Sequence, residues 1–148
     1  MLVIKFDYYS DITLRKDNSR VLTVIDRPKI PIKIRLSGKQ SNTPILCLID
    51  SGADMNLFPA HMGESIGIDI TKYPQSGTRG IGNAPPIVTY KVPNIDLLIG
   101  YKAAPDYLIK ADVFFTPNQK IPLLGREGFF KFFKMVSFIN NEHIELHF

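Results

Sequence analysis

The stretch that most constrains this chain is residues 45–59, where a short apolar segment ends abruptly in an acid, a hydroxyl and a glycine. The apolar residues 45–49 are few enough for one buried strand, and the chain becomes apolar again at Leu57 and Phe58. Aspartate is a poor strand residue and is costly to bury, so Asp50 needs a compensating reason for its position. The pattern predicts a carboxylate placed at the end of a core strand for chemical use. The alternative is an acid that only caps a turn.

Length and composition predict one folded domain. The chain has 148 residues, of which 45% are apolar and 11% aromatic, enough for a single ordinary core. No apolar run approaches the roughly 18 residues of a membrane span, and Lys5 and Asp7 interrupt the apolar N-terminus early. We therefore expect no signal peptide, no membrane partner and a cytoplasmic location.

The single cysteine indicates a reducing compartment, and the charge pattern indicates a sheet with one solvent-facing side. Cys47 lies inside the apolar run, which favours a small buried side chain over a reactive thiol. The net charge of +4 is modest, and the basic residues are scattered among apolar ones, as on the solvated face of a sheet. We expect no nucleic-acid partner. A basic β-barrel that binds nucleic acid is the alternative.

Hydrophobic periodicity predicts a mostly antiparallel β fold. Residues 30–36 alternate with period two, and a polar turn at residues 37–42 leads to a returning strand at residues 43–49 that ends at Asp50. A short helix is expected at residues 59–67. The other strands are expected at residues 2–9, 20–25, 87–92, 95–99, 107–115, 132–139 and 143–148, the first two forming the N-terminal hairpin. The fold class is therefore all-β, with one or two short helices.

Two groups near the C-terminus suggest packing and solvation more than chemistry. The expected core includes a cluster of phenylalanines, namely Phe129, Phe130, Phe132, Phe133 and Phe138. His143, Glu145 and His147 share one face of the last strand, but the acid is misplaced for a His-Glu-x-x-His zinc motif. We expect a solvated strand face there, and neither a metal nor a cofactor.

Three segments together resemble the retroviral-type aspartic proteases, the retropepsins. They are Leu-Ile-Asp-Ser-Gly-Ala-Asp at residues 48–54, Gly-Ile-Gly at residues 80–82 and Leu-Leu-Gly-Arg at residues 123–126, in the order found in that family. The resemblance covers about residues 28–148, which implies a retropepsin-like domain over that range and an N-terminal extension at residues 1–27, expected to be a β-hairpin packed on the domain. It implies a single-domain acid-protease barrel and an aspartic endopeptidase that hydrolyses peptide bonds.

The resemblance also implies residue roles. Asp50 would be catalytic, Ser51 and Gly52 would support its loop, and Arg126 would pair with Asp54. The residues implied to contact substrate are Ala53, Asp54, Gly80, Ile81 and Gly82, the last three at the tip of a flap. The alternatives are unrelated surface charges at Asp54 and Arg126, and a plain surface turn in place of the flap.

The number of Asp-Ser-Gly motifs implies a homodimer. The chain has one such motif and is too short for two lobes, so a pair of carboxylates needs Asp50 from each of two copies. The implied partners are a second copy and a peptide or protein substrate. The alternative is an inactive retropepsin-fold module for peptide binding or dimerisation. Viral members usually dimerise through a sheet built from both chain ends, which the additional N-terminal strands would extend, replace or block.

Overall fold

The structure is a computed structural model that describes residues 2–14, 21–78, 83, 85–100, 107–140 and 142–148. The strands are β1 (Val3–Asp7), β2 (Tyr9–Leu14), β3 (Val21–Arg27), β4 (Lys29–Leu36), β5 (Lys39–Gln40), β6 (Ile45–Ile49), β7 (Asn56–Pro59), β8 (Gln75–Thr78), β9 (Ile87–Ile99), β10 (Tyr107–Thr116), β11 (Leu123–Leu124), β12 (Met135–Ile139) and β13 (His143–His147). One short α-helix, α1 (Ala60–Glu64), and two 3-10 helices, Ile70–Lys72 and Phe130–Phe132, complete the described secondary structure.

Six strands of the described chain close into a barrel. Their order is β4, β6, β11, β7, β10 and β9, and β9 pairs back onto β4. β5 and β8 extend the barrel at β4 and β9. The predicted all-β class with short helices is therefore confirmed.

Strand β4 shows how the sequence determines which side of a barrel strand faces the core. Its apolar residues alternate with polar ones, and Ile30, Ile32 and Ile34 are completely buried while the intervening side chains are partly exposed. β6 pairs antiparallel with β4 on one side and parallel with β11 on the other. β6 is thus a central strand, and its end is fixed from both sides.

The barrel core contains most of the predicted apolar positions. Cys47 is completely buried as predicted, and its burial raises the pKa of the thiol. Phe129 and Phe133 are also buried, but Phe132 and Phe138 are exposed, so placing the whole phenylalanine cluster in the core was wrong for these two. Phe132 lies in the short 3-10 helix, and Phe138 lies on the edge strand β12, where its ring is partly exposed although its centroid is 6.4 Å from that of Phe130.

Three expected elements have different bounds. The helix expected at residues 59–67 is only α1, residues 60–64. The strands expected at residues 87–92 and 95–99 are one strand, β9, with an irregularity in its pairing to β10 where Asn94 adopts φ 58°.

No helix in the described part of the chain is long and apolar enough to cross a membrane.

The chain ends form a separate sheet in the order β1, β13, β12. β13 is the middle strand, so both of its edges are paired within the same chain. The strands expected at residues 2–9 and 20–25 are present as β1 and β3, but the hairpin expected between them is wrong, because β3 pairs with β2 and β1 pairs with β13. The division of the chain at residue 27 stays a prediction, but β1 shares a sheet with the last strand.

The polar side chains of β2 explain why no strand was expected at residues 10–14. The Asp11 carboxylate forms ion pairs with the Lys29 ammonium at 3.0 Å and with the Arg27 guanidinium at 2.7 Å. Ser10 donates to Asp26 across the ribbon at 2.6 Å. These partners on β3 and β4 stabilise a strand whose own sequence carries little apolar pattern.

The polar face of β13 is less solvated than predicted. His147 is buried, His143 and Glu145 are half-buried, and each histidine Nε2 lies about 3 Å from a Glu145 oxygen. Hydrogen bonds from Lys5, then from His143 and His147, lower the pKa of Glu145 from 4.5 to about 2. The prediction of a solvated face was therefore wrong, because β1 and β12 flank this strand on both sides.

Candidate active site

Asp50 begins the loop that follows β6. The backbone N–H of Asp50 donates to Leu124 O at 3.0 Å, and that of Ile49 donates to Pro28 O at 2.9 Å. The main chain is thus bound to two different segments immediately before the carboxylate. The Asp50 side chain leaves this fixed point half-buried at the barrel surface.

A tight turn orients the Asp50 carboxylate. The Gly52 N–H donates to Asp50 Oδ1 at 2.8 Å, and the Ala53 N–H donates to Asp50 O at 3.2 Å. A Cβ added at Gly52 would lie 3.2 Å from Asp50 Oδ1, so the glycine permits this close approach. Ser51 and Gly52 are both exposed. The result is a fixed carboxylate at an accessible surface, able to exchange a proton or to meet another carboxylate.

The structure places Asp54 and Arg126 together. Arg126 Nη2 lies 2.5 Å from Asp54 Oδ1, with the Arg126 side chain 59% exposed and that of Asp54 66% exposed. The backbones of the two segments are bonded as well, because Arg126 N–H donates to Ala53 O at 2.9 Å and Glu127 N–H to Asp54 O at 2.7 Å. Since an exposed ion pair contributes little to stability, the backbone bonds are the stronger link.

A buried asparagine that the sequence analysis missed joins these segments. Asn56 is completely buried, and its Nδ2 donates to Gly128 O at 2.7 Å and to Asp112 O at 3.2 Å. Its Oδ1 accepts the Gly125 N–H at 3.2 Å. One side chain therefore satisfies three backbone groups from two other segments. The signal available in the sequence was a lone amide at the start of an otherwise apolar strand.

Two glycines allow the segments to pack backbone to backbone. A Cβ on Gly125 would lie 2.5 Å from Met55 O, and one on Gly128 would lie 2.5 Å from Asn56 Cγ. Either distance is too short for a side chain to be present. The glycine of the Leu-Leu-Gly-Arg segment is thus required by contact with the loop that carries Asp50.

The predicted flap residues Gly80, Ile81 and Gly82 lie outside the described residues. In sequence they fall between β8 and β9, which pair antiparallel from Gln75↔Tyr90 to Thr78↔Ile87. A hydroxyl pair, Ser76 and Thr89 at 2.9 Å, also joins these strands.

Within the described part of the chain, no three His, Cys, Asp or Glu side chains are grouped to hold a metal ion.

Comparison with known proteins identifies the fold. The sequence matches no protein-family model and no curated protein. In structure, the chain is similar to a retropepsin-like aspartic protease from Rickettsia conorii, with a TM-score of 0.58 and 19% identity over 98% of this chain and 91% of that one. It also matches EIAV protease complexed with an inhibitor, with a TM-score of 0.45 and 20% identity over 68% of this chain and 83% of that one. The closed barrel, together with the full-length match to the Rickettsia structure, shows that this chain has a retropepsin-like fold.

Proposed function

We propose that the protein is an aspartic endopeptidase that hydrolyses peptide bonds with two Asp50 carboxylates, one from each copy of a symmetric homodimer. The observation that carries this proposal is the placement of Asp50. The backbone N–H of Asp50 donates to Leu124 O and that of the preceding Ile49 to Pro28 O, and the Asp50 carboxylate accepts the Gly52 N–H at 2.8 Å at an accessible surface. The retropepsin-like fold supports the same function.

Two adjacent carboxylates suit peptide hydrolysis without a metal or a covalent nucleophile. One ionised carboxylate takes a proton from water as the water oxygen bonds to the peptide carbonyl carbon. The other, protonated carboxyl gives its proton to the nitrogen as the C–N bond breaks. In aspartic proteases generally, two carboxylates about 3 Å apart share one proton, because like charges at that distance do not both ionise.

A second copy is needed because the chain carries one Asp-Ser-Gly segment. On a two-fold axis the same residue meets itself, so Asp50 can pair with the partner's Asp50 in an isologous contact. We propose that the exposed Ser51 contacts the partner loop and that Gly52, which has no side chain, lets the two loops approach each other. Each copy supplies one half of the site.

The proposed substrate contacts follow the Asp50 loop. The exposed Asp54 side chain pairs with Arg126 four residues beyond Asp50, and we propose that it borders the extended peptide. Ala53 already uses its N–H and C=O within the chain, so its methyl group is the part it offers to a substrate. Gly80, Ile81 and Gly82 are proposed as the tip of a flap that covers the peptide.

The test is a cleavage assay on purified protein and its Asp50→Asn variant. Both are incubated with a mixed peptide library between about pH 4 and about pH 7, and the products are identified by mass spectrometry. Asn at position 50 retains an oxygen to accept the Gly52 N–H, so the variant preserves the loop while removing the acid. We expect cleavage by the wild type and none by the variant.

The other outcomes each have one meaning. Equal cleavage in both samples would trace the activity to a contaminating protease. No cleavage by either, with both proteins folded, would contradict the protease proposal and favour an inactive retropepsin-fold binding or dimerisation module.

A further inference from the structure

The ribbon formed by β2 and β3 is the least supported part of the described fold. These two strands pair with each other and with no other strand of the described residues. A two-stranded ribbon is marginally stable alone in water, and this one exposes large apolar side chains. Ile12 is 60% exposed and Val24 is 58% exposed. Exposed apolar surface of this kind is typical of a protein interaction site.

The exposed apolar pair lies on a single face of the ribbon. Ile12 and Val24 are cross-strand neighbours. Ser10 and Asp26 lie on the same face, nearer the root of the ribbon, which is the end where β3 continues into β4. The opposite face is turned toward the barrel at its root, because Lys29 binds Asp11 there. The face that carries Ile12 and Val24 therefore points away from its own barrel contact.

The root of the ribbon lies beside the catalytic loop. β3 ends at Arg27, and the next residue, Pro28, accepts the backbone N–H of Ile49 at 2.9 Å. Lys29 then pairs with Leu48 in the β4–β6 ladder. The ribbon thus leaves the barrel next to the residue that precedes Asp50, on the part of the surface where a second copy must approach.

The terminal sheet does not offer its last strand to a partner. β13 is paired on one edge with β1 and on the other with β12, so both of its edges are occupied within the chain. A stable dimer nevertheless needs an interface of about 800 Å² from each copy. The short loop around Asp50 cannot supply that area by itself.

We propose that the β2–β3 ribbon is an arm that clasps a second copy of this chain, with Ile12 and Val24 buried against the partner. The inference rests on the proposed function, which requires the two Asp50 loops to meet. A ribbon of six residue pairs is about 20 Å long and about 10 Å wide, so one face covers roughly 200 Å². Each copy gives one face and receives another, which makes roughly 400 Å², about half of a standard interface.

The test compares dimer dissociation constants by analytical ultracentrifugation over a concentration series. The variants are Ile12→Asp and Val24→Asp, with Leu108→Asp as the matched control, because Leu108 is a 43% exposed residue of β10 and is not part of the ribbon. Each symmetric dimer carries the substitution twice, so we expect either arm variant to raise the dissociation constant at least about 100-fold. The control should stay within about twofold of the wild type.

A deletion variant removes the arm without relying on a single side chain. Tyr9 and Arg27 are cross-strand partners, so residues 10–26 can be replaced by a two-residue Asn-Gly turn. Circular dichroism checks that the barrel of this variant is folded. We expect a folded monomer at concentrations where the wild type is dimeric.

Running the cleavage assay on the same samples separates this proposal from the protease proposal. An unchanged dissociation constant in the arm variants, with Asp50-dependent cleavage intact, would overturn the arm alone. Dimers that weaken in the arm variants but never cleave peptide would support the arm and contradict the protease. A wild type that stays monomeric at every concentration would overturn the arm.

Discussion

Replacing Asn56 with alanine should loosen the joint between the Asp50 loop and the segment that follows β11. The Asn56 side chain makes three hydrogen bonds, to Gly128 O, Asp112 O and the Gly125 N–H, from a fully buried position. Alanine leaves those backbone groups without this partner. At about 1 kcal/mol net for each hydrogen bond, the expected loss in the free energy of unfolding is about 3 kcal/mol.

The assay is urea denaturation followed by circular dichroism. With an m-value of about 1.5 kcal/mol/M, a loss of about 3 kcal/mol lowers the midpoint by about 2 M without changing the slope. Asn42→Ala is the matched control, since Asn42 is exposed in a turn and its replacement should cost less than about 0.5 kcal/mol. Asn56→Asp should cost at least as much as the alanine change, because a carboxylate would face two carbonyl oxygens.

Equal midpoints for Asn56→Ala and Asn42→Ala would refute the reasoning. Such a result would mean that the backbone bonds between the two segments hold the joint without the asparagine. A loss near the expected value, together with weakened cleavage, would show that the same side chain positions the Asp50 loop.

Two further predictions concern the surroundings of the site, and a third concerns the sheet of β1, β13 and β12. Gly125→Ala should lower the free energy of unfolding by about 1 to 3 kcal/mol, because the new Cβ would lie 2.5 Å from a backbone oxygen. The control is Gly77→Ala, whose Cβ would have its nearest neighbour at 3.7 Å. We expect this control to be neutral in the same urea titration. Arg126→Ala should cost at most about 1 kcal/mol by urea titration, because Arg126 and Asp54 are both more than half exposed, and a larger loss would contradict this view of the pair. The lowered pKa of Glu145 means that its ionised form stabilises the fold above about pH 4.5 and that this contribution is lost as the pH falls toward about 2. Glu145→Gln should remove that part of the acid dependence in thermal melts over the same pH range, and an unchanged pH profile would contradict it.

Local sequence patterns predicted the strands that surround the site. The alternation in residues 30–36 determines one face of β4, and the short apolar run before Asp50 is long enough only for a strand. Both signals depend on neighbouring residues alone. The end of β6 and the position of Asp50 could therefore be read from the sequence.

Long-range pairings could not be predicted in the same way. β1 pairs with β13 at the opposite end of the chain, and no local pattern specifies that partner. No strand was expected at residues 10–14 because the polar side chains there find their partners only in β3 and β4. Asn56 was missed because its three backbone partners come from segments far away in sequence. In each case the stabilising contact exists only after the chain has folded.

The central claim is that one functional site needs an Asp50 carboxylate from each of two copies, and a mixing experiment tests it most directly. A fixed amount of wild-type protein is allowed to exchange subunits with an equal amount of Asp50→Asn protein before peptide cleavage is measured. If each mixed dimer is inactive, random exchange leaves about half of the original activity, and more variant lowers it further. Activity that is unchanged at every ratio, although exchange is demonstrated by labelled subunits, would contradict the shared site.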